Sequence, residues 1–444
     1  ADLVINHCSV ESKWFKEFLA GQGEGKDFFI SVPDSFDTSR VIRPRSSPLL
    51  KTVQTAGGEQ QIWCTFSHDQ VDLNFKNPEV LYAFIRLLKF LVGKGVKHFR
   101  LDAIAFLWKE SGTPCVHLKE THEVVKLIRL ILEQLNPESV LITETNVPNR
   151  ENLSYFGNDN EAHLIYNFSL PPLLIYALLK GDSTHLKTWM MSMPPARRGR
   201  SYLNFIASHD GIGLRPLEGL VSPQDQADML ETLQSFGGTI SNREVKGKGE
   251  VPYEANISLY DALKGTIAQG ADNWQKERFI CAHTILLALE GIPAFYIHSL
   301  LATENATELM TETGHARSIN RYCWDQKALN QILLNRDLHH AAVFEALKER
   351  IKIRKEQAAF HPNATQLTLH LGDQIFAFWR ESLDRHQSIF ALHNVSDQAV
   401  SVSLHELNLI STDNWRDVLS GENFTDVKAD IELPPYGCMW ISNA

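Results

Sequence analysis

Short apolar runs bounded by polar residues recur along the chain, and each of four ends on residues able to do chemistry. Leu3-Val4-Ile5 runs into Asn6-His7, and Val96-Lys97-His98-Phe99-Arg100-Leu101 runs into Asp102. Val140-Leu141-Ile142-Thr143 runs into Glu144, and Leu203-Asn204-Phe205-Ile206-Ala207 into Ser208-His209-Asp210-Gly211. Such runs predict strands buried on both faces, as in a parallel sheet. Between them the hydrophobic period lengthens. Val80, Leu81, Phe84, Leu87, Leu88 and Leu91 fall at helical spacing over 78–92, as do Val124, Val125, Leu127, Ile128 and Ile131 over 121–135. Residues 170–179 open on Pro171-Pro172, which a helix start tolerates. Strand, helix, strand, helix predicts an α/β fold with a parallel sheet and functional groups at the carboxyl ends of its strands.

Residues 276–289 predict a helix, 291–297 a last strand of this series, and 338–356 a charged amphipathic helix that closes it. Past residue 360 the period drops to two: Leu367-Thr368-Leu369-His370-Leu371, Ile375-Phe376-Ala377-Phe378-Trp379, Ser388-Ile389-Phe390-Ala391-Leu392-His393 and Val400-Ser401-Val402-Ser403-Leu404 alternate with turn residues. That pattern predicts an antiparallel β domain over 358–444, after an α/β domain over 1–357. Two long segments interrupt the first domain. Residues 8–66, rich in Gly, Ser, Pro and Arg, read as an irregular insertion. Residues 211–272, with Gly237-Gly238 and Lys246-Gly247-Lys248-Gly249, read as a long loop beside a functional strand.

Arg100 two residues before Asp102 supplies positive charge and fixed donors, which keep a carboxylate ionised, oriented and fit to attack an electrophilic carbon. Read alone, the pair serves equally well as a structural salt bridge. Glu144 alone is a loop or helix-cap carboxylate, and His7 and His209 alone are structural histidines.

Taken in order, Asn6-His7, Phe99-Arg100-Leu101-Asp102, Glu144 and Ser208-His209-Asp210 resemble the four motifs of the α-amylase superfamily of glycoside hydrolases. The sucrose-phosphorylase branch fits best, on Arg100-Leu101-Asp102-Ala103-Ile104-Ala105-Phe106, His209-Asp210-Gly211-Ile212-Gly213, Arg43-Pro44-Arg45, Phe66-Ser67-His68-Asp69-Gln70-Val71-Asp72-Leu73 and Arg317-Ser318-Ile319-Asn320-Arg321. Many α-amylases carry a Lys-His pair just after the nucleophile, where this chain has Ile104-Ala105-Phe106. The resemblance implies a (β/α)8 TIM barrel, with 8–66 as the small B domain over its mouth and 358–444 as a C-terminal antiparallel β domain. It implies Asp102 as nucleophile, Glu144 as acid/base with a pKa raised by partial burial, and Asp210 as a third carboxylate gripping sugar hydroxyls. His7, Arg100, His209 and Gln70 are implied around the sugar, and Arg380 as an arginine reaching back to the glucose pocket. Arg43 and Arg45 suit phosphate, whose oxygens match the guanidinium fork. Arg321 pairs with a carboxylate near the last strand, and Arg215 favours an anionic leaving group.

The reaction implied is a retaining phosphorolysis of sucrose, sucrose 6'-phosphate or glucosylglycerate to α-glucose 1-phosphate. Inorganic phosphate is the co-substrate, with no organic cofactor and no metal. A hydrolase or transglucosidase with the same carboxylates stays open, as does an inactive fragment. The chain opens on Ala1 inside a strand that resembles the third of the family barrel. The expectation is therefore that two βα units, roughly 60 residues at ~30 per unit, lie outside this sequence.

Composition changes this picture little. In 444 residues, 43 % are hydrophobic and 22 % charged, the balance of a large packed core. A net charge of -10 argues against nucleic acid as a partner, and no apolar run is long enough to span a bilayer. The partners expected are a small glucoside and phosphate; the sequence leaves the oligomeric state open. Cys8, Cys64, Cys115, Cys281, Cys323 and Cys438 are dispersed, without metal-ligand spacing, and point to reduced thiols and a cytoplasmic protein.

Overall fold

The computed structural model describes residues 1–444 except Ser46, Lys246, Gly247, Lys248, Asn408, Ser411, Thr412 and Ala444. The chain divides into two compact units, residues 1–166 with 242–253, and residues 167–241 with 254–444. The strands Thr239–Val245 and Gly249–Asn256 contribute to both. The loop read at Lys246-Gly247-Lys248-Gly249 has its first three residues outside the described residues.

In the first unit four strands run parallel: Asp2–Val4 beside His98–Asp102, then Val140–Thr143, then Leu164–Tyr166. The helices expected between them are present. Pro78–Gly93 starts from Asn77, whose side chain accepts the Glu79 amide, and Pro78 sits where a helix has no amide bond to lose. It buries Val80, Ala83, Phe84 and Leu88, and Lys119–Leu135 buries Val124, Val125, Ile128 and Leu132. The first strand ends one residue before its apolar run does, and His7–Ser9 turns away to pair antiparallel with Gln70–Asp72.

The insertion over 8–66 is not the irregular segment expected. It holds a helix, Lys13–Leu19, capped by the Ser12 hydroxyl on the Phe15 amide, and a hairpin of Leu50–Thr55 with Gly58–Trp63. Gly58 has φ 108°, a conformation that favours glycine. Alternation in Leu50–Thr55 is masked by Lys51, Thr52, Gln54 and Thr55, so polar composition hid a strand pair. The segment over 211–272 is likewise structured, with the helix Pro223–Ser235 and the pairing of Ile212–Gly213 with Gly249–Asn256.

In the second unit Ser201–Asn204 pairs in parallel with Ile292–Pro293. The C-terminal sheet is antiparallel, in the order Thr365–Leu369, Ile375–Glu381, Ser388–Asn394, Cys438–Asn443, Trp415–Asp417, Asn423–Phe424. Period two divides its central strands between two cores. Phe376, Phe378, Ile389, Ala391 and Trp440 pack with the helices Leu170–Lys180 and Gln275–Ala288. Ile375, Ala377, Phe390, Leu392 and Ile441 pack outward against Val402, Leu404, Trp415 and Leu433. Both faces are therefore buried, which explains the near-continuous apolar run of Ile375–Trp379. Among the described residues no helix is long and apolar enough to cross a membrane.

Two histidines are sealed in this unit. His283 Nδ1 lies 2.8 Å from the Phe279 carbonyl and His393 Nδ1 lies 3.0 Å from that of Phe376, so each Nδ1 carries the proton. Each Nε2 is buried with no hydrogen-bond partner among the described residues, and a second proton there would have no acceptor among them. Burial pulls both down to about 4, against a weaker raising effect of the carbonyls. The unfolded chain then binds protons first as pH falls, so stability present above pH 6.5 is lost between pH 6.5 and 4. Urea denaturation should show a loss of about 2 kcal/mol per histidine on going from pH 7 to pH 5. The double variant His283→Phe, His393→Phe should lose most of that pH dependence; an unchanged slope would refute the assignment.

Candidate active site

Register brings two carboxylates together in the first unit. Val4 lies level with Asp102 and Leu101 with Thr143. The Glu144 amide donates to the Leu101 carbonyl at 3.0 Å. Asp102 and Glu144 therefore end neighbouring parallel strands, which lie about 4.8 Å apart. Residues two apart on a strand share a face, so Arg100 stands directly beside Asp102. Its Nη1 donates to Asp102 Oδ1 at 2.8 Å and to Asp2 Oδ1 at 2.7 Å, and its Nη2 lies 4.0 Å from Glu144 Oε2. Burial opposes the Arg100 charge, but the combined pull of Glu144, Tyr166 and Asp102 outweighs it and raises the guanidinium above its ordinary range. The Tyr166 ring lies 5.5 Å from that guanidinium.

Ala103, just past Asp102, has φ 49°, a left-handed conformation that costs an alanine on the order of 1 kcal/mol. The turn aims its amide at Glu144 Oε2, 2.8 Å away. One backbone turn thus ends the Asp102 strand and supplies a donor to Glu144, which is 9 % exposed.

His7 is buried on the same unit. Burial lowers its pKa, with Asp72 and Asp102 opposing, and so keeps the ring neutral at pH 7. Behind it lies a closed polar network. Lys109 Nζ donates to Asp72 Oδ2 at 2.5 Å and to Asn6 Oδ1 at 2.8 Å, and Asn6 Nδ2 donates to Asp72 Oδ2 at 3.0 Å. Asp72 also accepts the Thr65 amide and hydroxyl at 2.9 and 2.6 Å. Gln70 accepts from the Ser67 hydroxyl at 3.0 Å. Arg45 stacks over the Tyr253 ring at 5.3 Å and donates to the Pro44 carbonyl, and Arg43 is half-buried on the same segment.

The second unit holds the other cluster. Asp210 accepts from Arg317 Nη1, and its Oδ1 lies 3.4 Å from Arg321 Nη2 and 3.8 Å from His209 Nε2. Arg321 Nε donates to the His209 carbonyl at 2.6 Å and Asn320 Nδ2 to that of Asp210 at 2.8 Å. Asp210 borders a pocket lined also by Ser208, Phe205, Tyr296, His298 and Asn320. Arg215 is buried in the turn Arg215–Leu217, with Nε 3.7 Å from Glu218.

Arg380 departs from expectation. It is fully buried, with its guanidinium on the carbonyls of Ala288, His361, Ala364 and Thr365. Burial lowers it to about 9, and Glu290 opposes that. It caps the end of the helix Gln275–Ala288, whose last carbonyls have no helical partner, and its donors are taken up by carbonyls rather than turned to a pocket. A Trp-Arg pair on an alternating strand resembles a pocket motif because sequence does not report which core the strand faces.

Sequence reasoning missed Tyr166, Lys109, Asp72, Glu254 and Arg317 as site residues. Tyr166 ends an apolar run like the other four and was findable by that rule. Arg317 lies inside a segment already singled out. Lys109 and Glu254 carry no signal; they matter only through burial beside a partner far away in sequence.

Comparison with known proteins adds the following. Residues 1–213 match the model described as Alpha amylase, catalytic domain, and residues 366–440 that of Maltogenic Amylase, C-terminal domain. The Glucosylglycerate phosphorylase of Spirochaeta thermophila is 40 % identical over 435 residues, 98 % of this chain and 73 % of that protein. The Glucosylglycerate phosphorylase of Escherichia coli is 38 % identical over 445 residues, 99 % of this chain and 77 % of that protein. The crystal structure of sucrose 6F-phosphate phosphorylase from Thermoanaerobacter thermosaccharolyticum superposes with a TM-score of 0.76 at 22 % identity, covering 89 % of this chain and 78 % of that one.

Removing Lys109 leaves the Asp72 carboxylate buried and without its counter-charge. Lys109→Met should destabilise the protein by roughly 3–5 kcal/mol in chemical denaturation. Adding Asp72→Asn should recover part of that loss, and a double variant less stable than Lys109→Met would contradict the pairing.

Proposed function

The chain belongs to the α-amylase superfamily, in its sucrose-phosphorylase branch, with that family's barrel and C-terminal antiparallel β domain, and from this we propose that it is a retaining glucoside phosphorylase acting on glucosylglycerate. The observation that carries the chemistry is the Arg100 guanidinium shared between two carboxylates on adjacent strand ends. The choice of glucoside is supported by the 40 % and 38 % identities to glucosylglycerate phosphorylases.

Asp102 attacks the anomeric carbon as the bond to the leaving oxygen breaks, and Glu144 gives its proton to that oxygen. A phosphate oxygen then attacks the same carbon, its proton passes to Glu144, and the ester bond to Asp102 breaks. Two inversions give α-glucose 1-phosphate. Arg100 holds Asp102 in line through Nη1, with its second nitrogen 4.0 Å from the Glu144 carboxylate. His7, neutral and bonded to Asn6, donates to a glucose hydroxyl, and the family resemblance makes Asp210 a carboxylate that grips sugar hydroxyls as the ring flattens. By the same resemblance His209, Gln70 and Arg321 are sugar contacts, Arg43 and Arg45 suit phosphate, and Arg215 favours an anionic aglycone. The match of residues 366–440 to a C-terminal domain model supports a boundary near 357. Six unpaired thiols support a reducing, cytoplasmic location.

With phosphate present, glucose 1-phosphate should be released faster from glucosylglycerate than from sucrose or sucrose 6'-phosphate. Glu144→Gln should lower kcat by roughly 10²–10⁴-fold, and Asp102→Asn should leave no measurable release. Free glucose formed at a rate independent of phosphate would replace this reading with a hydrolase or transglucosidase.

A further inference from the structure

Asp210 follows the strand Ser201–Asn204 by six residues, so no ladder of hydrogen bonds fixes its carboxylate. The segment Ala316–Asn320 with Arg321 does so instead. Asn320 and Arg321 fasten the carbonyls of Asp210 and His209, and Arg317 reaches the Asp210 carboxylate itself. Arg317 is held from behind: its Nε and Nη2 donate in parallel to Glu254 Oε1 and Oε2 at 2.9 and 2.6 Å. This two-bond fork fixes the plane of the guanidinium, which a single ammonium contact cannot do. Glu254 is 2 % exposed.

Glu254 reaches that position because Ile212–Gly213 pairs with Glu254 and Ala255, drawing their strand against the Asp210 turn. The approach requires Gly211. A Cβ there would meet Glu254 Cγ at 2.5 Å and the Ala255 carbonyl at 2.8 Å. The residue after Asp210 is thus a glycine so that Glu254 can stand behind Arg317. Two arginines and two carboxylates cancel in charge, so the buried Glu254 is compensated while Asp210 keeps two cationic neighbours. Arg317 and Arg321 both reach Asp210 Oδ1, from the same segment of chain.

We propose that Arg317, fixed by Glu254, is the positioning residue that aims the Asp210 carboxylate at the reacting sugar. This rests on the reading of Asp210 as a sugar-gripping carboxylate. Its aim matters most as the ring distorts, so misplacing it lowers turnover more than binding.

The test is steady-state phosphorolysis by R317A, R317K, D210N and the double variant R317A/D210N, with thermal melts alongside. R317A should lose roughly 10²-fold in kcat with KM changed less than about threefold, R317K should recover only part, and added guanidinium ion should rescue R317A but not D210N. The double variant should be no slower than D210N, since one interaction is lost in both. R317A turning over within twofold of the parent, while D210N is crippled, would overturn the proposal and leave Asp210 in place. Full activity in D210N would instead remove the reading beneath it. Should R317A fail to fold, E254Q carries the test: it keeps the arginine but weakens its fork, and an unchanged kcat there would also overturn the proposal.

Discussion

Everything proposed for the first unit depends on one guanidinium. Arg100 is bonded to Asp102 and Asp2 and stands 4.0 Å from Glu144. Asp102 and Glu144 stand at the ends of neighbouring strands and Asp2 at the start of a third, and the Arg100 charge offsets the repulsion that would otherwise push them apart. A lysine would meet them as a point charge. The planar fork of arginine instead meets them in directions set by its own geometry. The strand register, the Ala103 turn and the apolar residues beneath all serve to hold that contact in place.

The second unit solves a similar problem by a different route. Asp210 lies on a loop past its strand end, so no residue two positions away can face it. Its arginines come from more than a hundred residues on, at 317 and 321, and Arg317 is braced by the buried Glu254. Arg380 shows that buried arginines here do other work as well. Its guanidinium holds a helix end and a strand together through carbonyls, with no carboxylate bonded to it.

The alternation of apolar runs with helical periods was enough to place the parallel strands other than Leu164–Tyr166, the helices Pro78–Gly93 and Lys119–Leu135, and the first strands of the C-terminal sheet, because burial on two faces and on one stripe leaves different periods. It also placed Asp102 and Glu144 at strand ends, whereas Asp210, expected at one, lies six residues past its strand. It failed for the hairpin Leu50–Thr55 with Gly58–Trp63, whose exposed strand positions carry polar residues of no fixed period. Arg380 fails for a related reason: on a strand buried on both faces, alternation does not say which core each face meets.

The sequence by itself determined the element types outside 8–66 and 211–272, the family resemblance and the Arg100–Asp102 pair, since these depend on neighbours within a few residues. Only the tertiary structure decided that Lys109 neutralises Asp72 and that Glu254 braces Arg317. It alone decided that Arg380 faces carbonyls. Those contacts join residues far apart in the chain, and their strength comes from exclusion of water, a property of the packed molecule that no local pattern records.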